Sequence, residues 1–108
     1  MVPVPPTVKN ETLWRERCQK MRALVRRIIS GEVGVVEGSQ QMHVYRKWLY
    51  ADKDGDFHVF SLVDGDVQQL SDTGAVSAPT RDLKQLAEFY REDVIAAAIR
   101  VAEKYRGT

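Results

Sequence analysis

Three aspartates in a row of alternating positions, Asp52, Asp54 and Asp56, have the spacing of the oxygen ligands that open a calcium loop. The pattern breaks where such a loop is least tolerant. Phe57 stands at the turn glycine and Val63 at the bidentate glutamate, so a solvated acidic turn is expected and no metal. Cys18, His43 and His58 are the other residue types able to do chemistry. Cys18 falls on the apolar side of a helical pattern, where a thiol acts as a small hydrophobe, and local spacing brings neither histidine to it. HExxH, CxxC and GxSxG are absent, and Gly31, Gly34 and Gly38 match no phosphate-cradling loop. No catalytic residue, metal or cofactor is expected.

Charge offers binding chemistry instead. Residues 9–31 hold seven Lys/Arg against Glu11 and Glu16, and residues 51–82 hold seven Asp against Lys53 and Arg81, while the whole chain nets only +1. An acidic surface of Asp52, Asp54, Asp56, Asp64 and Asp66, with Phe57 or Phe60 as apolar anchors, suits occlusion of a basic partner. The alternative is a nucleic-acid-binding accessory protein that sets Arg15, Arg22 and Arg26 on phosphates. The two charged halves can also pair with each other.

The elements that must position these residues follow from apolar periodicity. Residues 1–8 are proline-rich and read as an extended, mobile arm ahead of a single domain over 9–108. The first helix spans about 10–30, with Asn10 as N-cap and Trp14, Cys18, Met21, Val25 and Ile28 at 4-3-4-3 spacing, widened by Leu24 and Ile29. Gly31 ends it. The second helix, about 35–49, carries Val35, Gly38, Met42, Tyr45 and Leu49, and Gly38 reads as a packing notch. Asp64-Gly65 is a hairpin-turn dipeptide between two short apolar runs, so residues 57–70 read as a short β-hairpin or irregular ribbon, though a short buried helix over Phe57 to Val63 also fits. Ser71 to Pro79 reads as loop. A third helix, about 80–106, presents Leu83, Ala87, Tyr90, Val94, Ala97, Val101 and Tyr105, and its Ala96 to Ala98 stretch is thin enough to pack against a copy of itself. The fold class is mainly α: a three-helix bundle with the hairpin or ribbon inserted between helices 2 and 3.

At 108 residues, 44% of them hydrophobic and 29% charged, the composition is that of one globular domain. A single cysteine fits a reducing compartment, and neither a signal peptide nor an apolar run near the ~20 residues of a membrane span is visible, so a cytoplasmic protein is expected. The string Ile28-Ile-Ser-Gly-Glu-Val-Gly-Val-Val-Glu-Gly38 resembles a motif of small uncharacterised bacterial helical proteins, and the likeness continues through Asp56 to Asp64 and Ala87 to Val94. Gln40 and Leu70 depart from it. The resemblance implies no assigned activity and points to an immunity-type or accessory partner. The expectation is therefore a small, non-enzymatic protein-binding domain, with an immunity-type or inhibitor role as its sharpest form. Its partner would be another protein with a basic surface; nucleic acid is the alternative, self-association stays open, and no membrane is expected.

Overall fold

The computed structural model describes residues 4–72 and 83–106, with the side chains of 70–72 and 83 left aside. Asn10 caps α1 (Glu11–Ser30) by accepting the Leu13 N–H on its side-chain oxygen at 3.0 Å, and Glu11 lies at the positive end of the helix dipole. Trp14, Cys18, Met21, Leu24, Val25 and Ile28 form its buried face. Ile29 is exposed rather than part of that face, because its position turns away from the stripe that ends at Ile28. Gly31 stops α1 in the left-handed region, φ 83°, donating its N–H to the Ile28 carbonyl.

Helix α2 (Val35–Trp48) returns against α1. Gly38 is the notch that the spacing suggested: a Cβ there would lie 2.5 Å from Ile28 Cγ1, so the two helices meet where a side chain is missing. Met42 and Leu49 complete the buried face of this hairpin.

The hairpin or ribbon expected over residues 57–70 is not formed. A 3-10 turn (Gly55–Phe57) runs into α3 (His58–Asp72), and no strand occurs among the described residues. Phe57, Phe60 and Val63 are fully buried and Val67 packs on the core, a helical period that also leaves Leu62 exposed. Burying that stripe outweighs the turn tendency of Asp64-Gly65, which sits inside α3 at a cost of about 1 kcal/mol for the glycine. Asp54 starts the segment by accepting the Asp56 N–H at 3.0 Å. Ser71 and Asp72 belong to α3; the rest of the expected loop, the Pro79–Thr80 helix start and the last two residues lie outside the described residues.

Helix α4 (Leu83–Lys104) touches α1, α2, α3 and the 3-10 turn, with Val94, Ala97, Ala98, Val101 and Tyr105 buried. The described architecture is thus four α-helices around one core, with α2 and α4 each touching all the others. The proline segment is not wholly apart from it, since Val4 and Val8 pack on the core and the Val8 N–H donates to the Pro5 carbonyl.

Candidate functional site

Asp54, Asp56, Asp64 and Asp66 are drawn partly inward by the fold. Asp56 accepts from Arg100 Nε at 3.0 Å and from Lys104 Nζ at 2.8 Å, and Asp54 accepts from Lys104 Nζ at 2.6 Å. These bonds to Lys104 and Arg100 hold the Asp56 carboxyl below the usual carboxylate range. Desolvation acts to lower Lys104, but its hydrogen bonds to Asp54 and Asp56 outweigh that and leave it raised. Asp66 accepts the Tyr90 hydroxyl at 2.6 Å, and Asp64 accepts from Gln68 Nε2 at 2.9 Å. The Asp52 side chain is exposed, while its carbonyl takes Arg46 Nη2. Phe57 and Phe60 stack edge to face in the core, neither reaching the surface.

The arginines of the nucleic-acid reading share one side of α1 but differ in their partners. Arg15 is bound twice to Glu11 by Nε and Nη2. Arg22 is half-buried and donates from Nη1 to the Tyr105 carbonyl at 3.1 Å, closing the end of α4. Arg26 is exposed on α1. The acidic segment pairs with α4, so it leaves the α1 cations where they are.

A different cluster gathers where α1 begins and α2 ends. Trp14 is buried and its indole N–H donates to the Leu49 carbonyl at 3.1 Å, pinning the two helix ends together. One helical turn apart on α1, Leu13 and Arg17 flank that pin. Across from them, Tyr50 closes α2 with φ 56°, its N–H on the Lys47 carbonyl and the Ala51 N–H on the Arg46 carbonyl. Glycine is the usual residue in such a cap. Leu49 and Ala51 are buried on either side of it, so the Tyr50 ring is sent outward. Trp48 lies beside it with the Arg17 guanidinium 5.0 Å from its ring centre and Tyr45 edge-on at 5.5 Å. Burial raises the Tyr45 phenol, against the lowering effect of the Arg17 charge, so Tyr45 is neutral near pH 7.

Leu13, Trp48 and Tyr50 are 40%, 45% and 51% exposed, and with Val8, Lys9 and Arg17 they line a cleft of about 130 Å3. Two exposed aromatic rings, an aliphatic side chain and two cations form a surface suited to holding a segment that is apolar and negatively charged. Sequence reasoning missed Trp48 and Tyr50. The available signal was their position: both fall off the Val35–Met42–Leu49 stripe that buries α2.

His43 and His58 belong to separate surroundings. His43 Nδ1 is 3.0 Å from Ser61 Oγ, which also accepts from Arg46 Nη1 at 2.8 Å, and His43 Nε2 is 3.9 Å from Asp64. This cluster ties α2 to α3. His58 lines a groove between α3 and α4. Cys18 is buried in the core, as its spacing suggested. Among the described residues no set of three or more His, Cys, Asp or Glu converges as metal ligands, and no helix is long and apolar enough to cross a membrane.

No protein-family model, curated protein or solved structure matches the chain significantly. The likeness to small bacterial helical proteins, and the immunity-type or inhibitor role it suggested, thus have no relative behind them.

Proposed function

We propose that this protein is a non-enzymatic binding module that holds a segment of another protein in the Leu13–Arg17–Trp48–Tyr50 cleft. The observation that carries the reading is Tyr50. A residue other than glycine in the left-handed region costs about 1 kcal/mol, and here the side chain regains little by burial. Its ring instead extends an exposed aromatic surface that Trp48 and Leu13 begin. Trp, Tyr and Arg are the residue types that dominate binding energy at protein interfaces. Lys9 and Arg17 favour a partner segment bearing carboxylates beside an apolar side chain.

The acidic-surface version of the same function has less support. Occluding a basic target with Asp54 and Asp56 would require both to leave Lys104 and Arg100. Nucleic acid is the second reading, because aromatic rings beside Lys and Arg also serve as a stacking platform for single strands.

Pull-down of tagged protein from nuclease-treated lysate, followed by titration with the recovered partner, tests the proposal. Trp48→Ala should weaken capture by about tenfold or more, as expected for an interface hot spot. Tyr50→Gly should do likewise while leaving the folding stability equal or slightly higher, since glycine relaxes the cap. Capture that survives both changes would overturn the cleft as the site. Capture lost on nuclease treatment, with salt-dependent retention of single-stranded oligonucleotides, would transfer the cleft to nucleic acid.

A further inference from the structure

A second surface, sharing no residue with that cleft, lies between α3 and α4. It is a groove of about 290 Å3 whose lining includes Val59, Leu62 and Ala96 together with His58, Asp93 and Arg100. Leu62 is 44% exposed, and Ile99, on the outer side of α4, is 45% exposed. Asp93, Ala96 and Arg100 are all exposed and stand three and four residues apart, so they form one stripe along α4. Ala96 leaves room on that stripe for another helix to approach to about 8–10 Å between axes.

The charges choose the occupant. The α4 stripe carries one carboxylate and one guanidinium, at nearly equal distances on either side of Ala96, and Asp56 on the facing wall of the groove holds Arg100 at 3.0 Å. A wholly acidic or wholly basic partner would be attracted by one and repelled by the other. A twofold interface instead sets residue i against j and j against i. With two α4 helices antiparallel and crossing at Ala96, Asp93 of each copy faces Arg100 of the other. Arg100 is equipped for this: its bond to Asp56 uses Nε, and its guanidinium fork keeps further donors for a second carboxylate.

We propose that the α3–α4 groove is a self-association surface, on which a second copy of this chain docks with its α4 antiparallel about Ala96 and the Asp93–Arg100 pairs exchanged between copies. Leu62 and Ile99 are then covered by the second molecule. The inference is independent of the partner-binding cleft, and either can fail alone.

Sedimentation velocity on the full chain, from about 5 to about 500 µM, a range that captures weak to moderate dimers, is the test. The expected mass rises with concentration from 12.3 kDa to twice that value. Asp93→Arg alone and Arg100→Asp alone should each weaken the dimer by about tenfold or more, because like charges then face each other. The double exchange, Asp93→Arg with Arg100→Asp, should restore it. Arg100→Asp also removes a partner of Asp56, so Ala96→Glu, at an exposed position, serves as the second probe and should yield monomer with unchanged helical circular dichroism. A wild-type monomer throughout the range, a dimer indifferent to Ala96→Glu, or an exchange that fails to restore association would each overturn the proposal.

Discussion

Tyr50 and Gly38 show how single residues are spent in this fold. Tyr50 occupies a backbone conformation that glycine would fill without strain, and Gly38 occupies a helix position that alanine would favour by about 1 kcal/mol. The reasons differ. The Tyr50 side chain points to a cleft, whereas the missing Gly38 side chain lets α2 approach Ile28. Gly38→Ala would push a methyl to within 2.6 Å of Cγ1 and Cδ1 of Ile28, a buried side chain with little room to move. Overpacking of this kind costs about 1–3 kcal/mol, which outweighs the gain in helix propensity. Denaturant melts should therefore find Gly38→Ala destabilised by about 1–2 kcal/mol, with the exposed Gly65→Ala stabilised as a control, since nothing lies near a Cβ there.

At the scale of elements, the Asp54–Asp56 turn is fastened to the end of α4 by Lys104 and Arg100. The Asp56 carboxyl is depressed in the folded protein, so its contribution is present above the unfolded value of 3.8 and is lost as pH falls through the lower folded value. Asp56→Asn should lower the melting temperature at neutral pH by a few degrees, roughly what a partly exposed ion pair supports. The difference from wild type should close in acid, below the ordinary carboxylate range. A gap that stayed constant with pH would mean that the Lys104 and Arg100 contacts do not stabilise the fold. At the alkaline end the sign is the reverse. Burial, aided by the Asp54 charge, pushes the Tyr105 phenol up to about 12, so stability declines between pH 10 and that value as the unfolded chain ionises first. Tyr105→Phe should flatten part of that decline.

For the whole molecule, one core is shared by all four helices, and the 3-10 turn and α3 add the rings of Phe57 and Phe60 to it. Phe60 is fully buried and stacks on Phe57, with ring centres 5.9 Å apart. Phe60→Ala should cost about 3–5 kcal/mol, a large part of the 5–15 kcal/mol that holds a domain of this size. Calorimetry should record one broadened transition shifted down by tens of degrees, or no cooperative transition at all. If α3 were instead a loosely attached ribbon, the same change would leave the melt of the other helices intact.

Where the apolar spacing was long and regular, the sequence by itself determined the outcome. The α1 and α4 stripes, the Asn10 cap, the Gly31 stop and the Gly38 notch were all legible, because local geometry fixes which residues share a face. The segment from Phe57 onward was not, since a seven-residue apolar run admits both a two-residue and a 3.6-residue period, and the burial available against α2 and α4 decided between them. The surface was decided by tertiary structure alone. Charge counts marked the acidic segment as the place to bind, yet its carboxylates met Lys104 and Arg100, which lie more than 40 residues away along the chain. The cleft likewise joins Leu13 and Arg17 to Trp48 and Tyr50. A helical period states which residues turn from the core, but only the packing of one element on another determines which of them stand side by side.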